Sequence, residues 1–488
     1  MRYPIVTRPH TRLRLLIGLV AGVLALILVG AMSQAAQPPP ASTQTRWTIP
    51  SNDTIRKLLA ERMAHNGVGV VVGIIEPAGR RVVVYGKSAA SNDRPLNGDT
   101  VFQIGSVTKV FTGLLLADMV QRGEVKVDDP VSKYLPSGVK MPIRGRPITL
   151  IDLSKHWSGL PSMPTNFSLH AQPNPYEAYS VDELYQFLSS YELPREPGKQ
   201  EYSNLGVALL GRLLGRHAGM EYEELLKKRV LVPLGLKGTS ITLNADQLRR
   251  LAPGHDRFLR PVETWNLTVM PASGGLRSTV NDLLRFLAFT LGVQDSPLQE
   301  AMLYQRTPGR ALGWGRSMLE GEEVYGHEGG KEGYRSAVIF NPRTKTGVVV
   351  LTNARTDDSP MVLARCLLFG GTPLPPALAA PSPPKTVPLD RELLDAYSGQ
   401  YRLDSNRMLT VARKQDYLLV DTKGDGINTF FPSRTDEFFA NTADMQITFS
   451  RDDSDRINGL VVRTGGTQEK AIRLKGGLTQ ESANPFNK

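Results

Sequence analysis

The chain has 488 residues, too many for one typical domain, and its 41% hydrophobic and 22% charged residues are usual for a globular protein. The formal net charge is +11, but Lys and Arg are interspersed with Asp and Glu and form no long basic block. This distribution argues against nucleic-acid binding. A single cysteine excludes an internal disulfide.

The N-terminus has the pattern of an export signal. Arg2, Arg8, Arg12 and Arg14 precede an uncharged apolar run from Leu15 to Met32, and small residues follow at positions 33–36. We expect residues 1–36 to be a cleaved signal peptide or an uncleaved membrane anchor, followed by a linker over 37–52. The protein is therefore expected in the periplasm or outside the cell, in contact with a membrane only through this segment if it is uncleaved.

Strand and helix patterns then follow one another in a definite order. Two β-rich runs within Val68–Ser88 surround a turn signal at Glu76–Gly79, which predicts a hairpin. Apolar residues in "SVTKVFTGLLLADMVQRG" recur near helical spacing, and residues 148–291 are mostly helical in pattern. Strand patterns return in "EEVYGHEGG", "YRSAVIFNP" and "GVVVLTN". This order predicts an α/β (α+β) domain over 53–369, in which a helical insertion interrupts one mixed sheet.

The C-terminal part is predicted to be separate. Residues 370–388 are rich in proline and should form an extended linker. Beyond them, runs such as "MLTVARKQDYLLVDT" alternate like short antiparallel strands, which predicts a small β-domain over 389–488. Cys366 lies in "MVLARCLLFG", whose spacing suits a packed helix, so we expect a buried core thiol rather than a reactive one.

The stretch "FQIGSVTKVFT" contains the strongest chemical signal. A serine hydroxyl becomes a nucleophile when a neighbouring base takes its proton, and residues i and i+3 of a helix share one face. Ser106 and Lys109 satisfy that spacing near a predicted helix start. Ser-x-x-Lys is a weak motif by itself, and a second copy, Ser382 to Lys385, lies among linker prolines that forbid the helical turn.

With the rest of the chain, the motif resembles the serine β-lactamase and penicillin-recognising DD-peptidase superfamily, closest to its class C and DD-carboxypeptidase branch. That family carries Ser-x-x-Lys, then Tyr-x-Asn, then Lys-Thr-Gly or His-x-Gly on a late strand. Here these are Ser106-Val-Thr-Lys109, Tyr202-Ser-Asn204 and His327-Glu-Gly329. Stretches such as "DDPVSKYLP" and "GGLRSTVNDLLRF" are also similar, and the resemblance extends over about residues 53–353.

The resemblance implies a β-lactamase/transpeptidase-like fold, a lipocalin-like C-terminal module and a role for each motif residue. Ser106 would be acylated, with Lys109 and Tyr202 sharing the work of the base in a division that the sequence leaves open. Asn204 would bind a substrate amide. A partly charged His327 would move a proton or meet a substrate carboxylate.

The oxyanion hole would be formed by the backbone N–H groups of Ser106 and Gly330. Gly329 and Gly330 are equally consistent with turn residues that permit close approach. Glu328 stands where the family often has Thr or Ser, and Lys155 and Trp157 also replace usual residues. An anionic side chain at 328 should repel a carboxylate.

These observations predict an exported serine hydrolase acting on amide or ester bonds of D-amino-acid peptides or small esters, which include cell-wall (peptidoglycan) fragments. Two alternatives remain open: a β-lactamase that hydrolyses antibiotics, and a non-catalytic protein that binds cell-wall fragments or a partner on the same fold. No Gly-x-Ser-x-Gly elbow, P-loop or His-Glu-x-x-His pattern occurs. We therefore expect no metal, no nucleotide and no other cofactor.

Overall fold

The computed structural model describes residues 47–63, 68–89, 92–167, 174–355, 359–370, 374–376, 381–405, 407–421, 427–441 and 443–474. The chain divides into two compact units, Met1–Thr48 and Ile49–Lys488. The predicted export signal at residues 1–36 lies outside the described residues. None of the helices described is both long and apolar enough to cross a membrane.

The part of the chain before the proline-rich segment is built on one seven-stranded sheet with the order β3-β2-β1-β11-β10-β9-β8. Its N-terminal and C-terminal strands meet where β1 pairs with β11, Val72 lying opposite Val350. Every strand pair in this sheet is antiparallel, which corrects the expected mixed sheet, because hairpins join most neighbouring strands. The strands are β1 (Gly69–Glu76), β2 (Gly79–Ala89), β3 (Asn92–Pro95), β8 (Gly315–Leu319), β9 (Glu322–Lys331), β10 (Tyr334–Asn341) and β11 (Thr346–Thr352).

Two further pairs of short strands lie in the segments between β3 and β8. They are β4 (Phe102–Gln103) with β7 (Arg277–Ser278), and β5 (Gly254–His255) with β6 (Pro261–Val262).

The central strands are apolar throughout because both faces of the sheet are covered. The helix Val280–Thr290 packs on one face, and the helices Asn52–Met63 and Pro360–Leu368 pack on the other. β1, with the sequence "GVVVGIIE", is buried along almost its whole length. A run of apolar residues without alternation is what a strand covered on both faces requires.

Helices fill most of the insertion between β3 and β8, as predicted. The other helices of the first half are Thr108–Gln121, Leu150–Ser154, Pro175–Ala178, Val181–Ser190, Asn204–Ala218, Tyr222–Leu226, Ala245–Arg250, Pro271–Gly274 and Gln299–Arg306. A π-helical turn, Lys227–Leu231, extends one of them. Ser180 begins the helix Val181–Ser190 with a capping box, in which Ser180 and Glu183 each accept from the other's backbone N–H.

Eight strands close into an antiparallel barrel at the C-terminal end. The barrel core is rich in aromatic residues, with Tyr397, Phe438 and Phe449 in mutual contact. Closure removes exposed sheet edges, which a domain of this small size would otherwise present. After the helix Arg391–Tyr397 come β12 (Gly399–Leu403), β13 (Met408–Lys414), β14 (Tyr417–Asp421), β15 (Ile427–Arg434), β16 (Glu437–Ala440), β17 (Met445–Arg451), β18 (Ile457–Thr464) and β19 (Thr467–Arg473).

The segment that joins the two halves has no helix or strand among its described residues between Phe369 and Arg391. Arg62 Nη1 donates to Pro375 O at 2.7 Å, so the first helix holds part of it. Cys366 lies on a helix as predicted. Its side chain is only half-buried, which corrects the expected buried thiol, because that face of the helix Pro360–Leu368 looks away from the sheet.

Candidate active site

Ser106 lies in a tight turn between β4 and a buried helix. The turn is a 3₁₀ helix, Gly105–Val107, and the helix Thr108–Gln121 follows at once. Gly105 has a φ of 48°, a conformation that favours glycine. The predicted position of the Ser–Lys pair at a helix start is confirmed. Free backbone N–H groups there favour negative charge that develops near the serine.

Lys109 is completely buried, and its amino group is surrounded by oxygen atoms. Nζ lies 3.0 Å from Ser106 Oγ, 2.8 Å from Asn204 Oδ1 and 2.6 Å from Ser273 O. Burial lowers the pKa of Lys109 below its ordinary value because the charged form loses hydration, and nearby Tyr202 opposes this effect in part. The site therefore favours the neutral amine more than water does.

The neutral amine of Lys109 has two N–H groups and one lone pair. Asn204 donates its own Nδ2–H to Ser162 Oγ at 3.3 Å, which leaves Oδ1 facing the lysine. Oδ1 and the carbonyl oxygen of Ser273 can only accept hydrogen bonds, so they take the two N–H groups. In the neutral form the lone pair would then face the hydroxyl of Ser106, which suits a lysine that accepts the serine proton.

Tyr202 contacts Ser106 from the other side. Its hydroxyl donates to Ser106 Oγ at 2.7 Å, and its ring lies against the imidazole of His156 with centroids 4.4 Å apart. Ser203, which lies between Tyr202 and Asn204, caps the helix Asn204–Ala218. The cap fixes the backbone positions of Tyr202 and Asn204. Two motif residues, Lys109 and Tyr202, which are 93 positions apart, thus contact the same hydroxyl.

His327 lies on β9 with its ring at the edge of the same site. Nδ1 lies 2.7 Å from Glu328 O, a pure acceptor, so Nδ1 carries the hydrogen and Nε2 the lone pair. Burial, and then the charge of Lys109, lower the pKa of His327 to about 4. This direction disfavours the partial charge expected from the sequence, and the role of His327 stays a prediction.

The turn before Ser106 lies directly against β9. A Cβ atom on Gly105 would stand 2.7 Å from Gly330 O and 2.9 Å from Gly330 N, and one on Gly329 would stand 2.0 Å from Ile104 O. Both glycines therefore permit close backbone approach. The backbone of Gly330 is brought beside Ser106, while the oxyanion hole formed by their N–H groups stays a prediction.

Glu328 on β9 is held by contacts with two residues. Ser359 Oγ donates to its Oε1 at 2.9 Å, and Arg335 Nη1 lies 3.8 Å from the same oxygen. The carboxylate therefore has a hydrogen-bond donor and a cation beside it. Its expected repulsion of an incoming carboxylate is reduced by this partial compensation.

Comparison with known proteins agrees with this geometry. Residues 55–366 match the family model described as "Beta-lactamase", which covers more than half of the chain. The chain belongs to the beta-lactamase family. Residues 383–475, which include the barrel, match a second model described as a domain of unknown function, DUF3471.

Individual beta-lactamase family members match over different parts of the chain. The D-alanyl-D-alanine-carboxypeptidase/endopeptidase AmpH of Escherichia coli is 30% identical over 58% of this chain and 78% of its own. A class C beta lactamase structure from Rhodobacter sphaeroides is 26% identical, with a TM-score of 0.57, over 66% of this chain and 98% of its own. An octameric penicillin-binding protein homologue from Pyrococcus abyssi, 23% identical, covers 86% of this chain and 98% of its own with a TM-score of 0.56, which supports the fold alone. With the family established, the protein is a serine hydrolase.

Two cavities of this beta-lactamase family site share Gly330 in their walls. The larger, about 800 Å³, includes Tyr202, His327 and Glu328. The smaller, about 150 Å³, includes Ser106 and Asn204 among its walls. A still larger cavity of about 1030 Å³, near Arg212 and Arg277, contains none of the motif residues, so the chemistry and not the size identifies the site.

Sequence reasoning did not single out several residues that complete the site. The Ser273 carbonyl contributes through its backbone, which leaves no trace in residue type. His156 has a φ of 60°, accepts from Ser203 N at 3.2 Å and supports the Tyr202 ring. Its position in "KHWSG", next to the unusual Lys155 and Trp157, was the one available signal. Lys155 itself lies over the Trp157 ring, 3.7 Å from the centroid.

Proposed function

We propose that this exported serine hydrolase cleaves amide or ester bonds through an acyl-enzyme on Ser106, with peptides ending in a D-amino acid or small esters as substrates. One observation carries the proposal: Ser106 Oγ lies within hydrogen-bond distance of both Lys109 Nζ and Tyr202 OH. A serine with a base on one side and a proton donor on the other is equipped for acyl transfer.

The reaction follows from these two contacts. Ser106 Oγ attacks the substrate carbonyl while its proton moves to the Lys109 amine. The proton then reaches the leaving nitrogen or oxygen by way of Tyr202, and the carbon–leaving group bond breaks. Water attacks the acyl-enzyme and gives its proton to the same groups, the bond between the acyl carbon and Ser106 Oγ breaks, and Oγ takes that proton back as the acid leaves. The N–H groups of Ser106 and Gly330 would stabilise the negative oxygen in both steps.

A carboxylate on the leaving group is favoured by the charges of the larger cavity. Lys155, Arg335 and Arg365 line it, against the single carboxylate of Glu328. Arg316 also lines it but is occupied by an ion pair with Glu323. A leaving D-amino acid with a free carboxylate suits this cationic wall, and the name of the relative AmpH is consistent with such a substrate.

Export and a cell-wall substrate belong to the same proposal. The arginines and apolar run of residues 1–36 support passage across a membrane, with residues 1–36 as signal or anchor. Peptidoglycan fragments would then be the natural source of D-amino-acid peptides. We place antibiotic hydrolysis below peptidase and esterase activity, because the third motif is His327-Glu328-Gly329 and not the Lys-Thr-Gly form.

The test is intact-mass spectrometry of the protein incubated separately with a fluorophosphonate, a penicillin and a D-Ala-D-Ala peptide ester. We expect a covalent adduct with the fluorophosphonate and faster turnover of the peptide ester than of the penicillin. Ser106→Ala should form no adduct and lose activity by about 10³-fold or more. Ser382→Ala, which changes the linker copy of the motif, is the matched control and should behave like the wild type.

An adduct that survives Ser106→Ala would contradict the assignment of the nucleophile. No adduct with any reagent would favour the non-catalytic binding protein. Faster turnover of penicillin than of the peptide ester would reverse the order of substrates.

A further inference from the structure

The small cavity beside Ser106 has a wall that comes from the barrel. Ile427 and Asn428, the first residues of β15, line it together with Lys331 and Arg355 of the family domain. Ile427 also packs against the main core of that domain. The far end of this cavity is therefore closed by residues more than three hundred positions away from the nucleophile.

The barrel is held firmly enough for this wall to stay in place. Arg257, in the loop of the β5–β6 hairpin, donates its backbone N–H to Asn441 O at 3.1 Å and its guanidinium to Ala443 O at 2.6 Å. The Phe258 and Phe439 rings meet edge to face with centroids 5.6 Å apart. Hydrogen bonds and an aromatic contact therefore join the two halves.

The two cavities take different parts of a substrate. A leaving group must be protonated as it departs, so it lies on the side of the proton donor. Tyr202 and His327 line the larger cavity, which therefore receives the leaving group. The acyl group lies on the other side of the carbonyl, in the cavity of Asn204 and the barrel wall.

The acyl cavity is small and polar. Its volume is about 150 Å³, and a cavity of that size holds a molecule about as large as benzene. Lys331 Nζ lies 2.8 Å from Glu332 Oε2, and both residues line the cavity with Arg355 and the amide of Asn428. Hydrogen-bonding acyl groups are favoured over long apolar ones, because the latter would desolvate these charges without replacing their partners.

We propose that Ile427 and Asn428 of the barrel set the acyl specificity of the enzyme, restricting the part of the acyl group next to the scissile carbonyl to a short polar unit of about six non-hydrogen atoms or fewer, about the size of one alanyl residue. This inference rests on the proposed acyl-enzyme function. The C-terminal barrel is then a specificity element of the active site, and its contribution is made by contact with the acyl group.

The test compares p-nitrophenyl esters that share one leaving group and differ in the acyl group: acetyl, hexanoyl and phenylacetyl. The wild-type full chain should prefer acetyl. Ile427→Ala should raise kcat/KM for the hexanoyl and phenylacetyl esters by about tenfold or more relative to that for the acetyl ester, the effect of one or two methylene-sized contacts. Asn428→Ala should change the same ratio in the same direction.

Ile472→Ala is the matched control, because Ile472 is an exposed isoleucine of the same barrel that does not line the cavity. It should leave all three rates unchanged. Circular dichroism of each variant checks that the fold is retained. Ile427→Trp tests the opposite change, because a larger side chain should fill the cavity and lower kcat/KM even for the acetyl ester.

Equal wild-type rates for acetyl and hexanoyl esters, or an unchanged ratio in both Ile427→Ala and Asn428→Ala, would overturn the inference while leaving the acyl-enzyme intact. Absence of a Ser106 adduct with every ester would overturn the proposed function and this inference together.

Discussion

The charge of Lys109 decides whether the Ser106 hydroxyl has a base beside it. Burial disfavours the ammonium form, and two pure acceptors orient the remaining N–H groups so that the lone pair faces the serine. Tyr202 OH donates to Ser106 Oγ at 2.7 Å. The division of base work that the sequence left open is therefore resolved, in our proposal, in favour of the lysine.

Activity should consequently depend on pH through Lys109. The neutral amine predominates above its pKa, so kcat/KM should rise with pH to a plateau and fall by up to about tenfold per unit on the acid side. Lys109→Arg keeps the positive charge at every accessible pH and should lose about 10²–10⁴-fold in kcat/KM, with no recovery at high pH. Ester hydrolysis measured from pH 5 to 10 tests both statements, and a flat wild-type profile would contradict them.

His156 links the site to acid stability. Burial, followed by the charges of Lys109 and His327, lowers the pKa of His156 to about 3 in the folded protein, against an ordinary value near 6.5. Between about pH 6.5 and pH 3, the His156 side chain therefore binds a proton in the unfolded chain but not in the folded protein. The stability due to this histidine is lost as pH falls from about 6.5 toward 3.

We expect His156→Asn to have a smaller decrease of Tm between pH 7 and pH 5 than the wild type. Asn suits the positive φ of this position and offers an oxygen in place of Nδ1 to Ser203 N. Thermal unfolding followed by circular dichroism at the two pH values is the measurement. An identical decrease in both proteins would show that His156 titrates normally in the folded state.

The contact between β9 and the turn before Ser106 sets the position of the nucleophile. Ser336 Oγ on the neighbouring β10 donates to Ile104 O at 2.8 Å, and Gly329 of β9 allows that carbonyl to approach closely. The sheet edge and the nucleophile turn therefore behave as one assembly. A side chain added at their contact must move one of them.

Gly329→Ala and Gly330→Ala form a matched pair that tests this contact. A Cβ on Gly329 would stand 2.0 Å from Ile104 O and 2.4 Å from Ser336 Oγ, whereas nothing lies within 4 Å of one on Gly330. Gly329→Ala should lower the free energy of unfolding by about 1–3 kcal/mol, the usual effect of overpacking, and reduce activity. Gly330→Ala should keep its stability. Urea unfolding of both variants is the measurement, and equal losses would contradict the close approach.

The whole molecule combines two folds around one reacting centre. The antiparallel sheet closes when strands from residues 69–95 meet strands from residues 315–352, and the helical insertion between them supplies Ser106, Lys109, Tyr202 and Asn204. The barrel then contacts this assembly through the β5–β6 hairpin and through Ile427. Stability and acyl specificity should both depend on that junction.

A double-mutant cycle measures the junction directly. Phe258→Ala and Phe439→Ala should each destabilise the protein, and the double variant should lose less than the sum. The coupling expected for an edge-to-face aromatic pair is about 0.5–1.5 kcal/mol. Unfolding of the four proteins in urea gives this value. The control is a second cycle that combines Phe187→Ala with Phe439→Ala. Phe187 contacts Tyr191, so this pair should show no coupling. Strict additivity of Phe258 and Phe439 would mean that the barrel is undocked in solution.

The sequence by itself determined the features whose signal is local. Hairpins show as alternating or continuous apolar runs around turn residues, and Ser106 and Lys109 are a helical turn apart, so their proximity follows from helix geometry alone. The sequence patterns did not predict β8 or the barrel strands β15, β16 and β19, because these strands are short, polar or weakly patterned. The identities of Tyr202, Asn204 and His327 came from the family resemblance and not from periodicity.

Only the tertiary structure decided which distant groups share the site. The Ser273 carbonyl, the His156 ring and the barrel residue Ile427 approach Ser106 through chain folding over tens to hundreds of residues. The protonation of His327 likewise depends on burial and on the distance to Lys109, which residue type does not encode. Desolvation and long-range contact arise only when the sheet and the barrel close, and these two effects give the site its buried Lys109 amine, the lowered pKa of His327 and the small cavity beside Ser106.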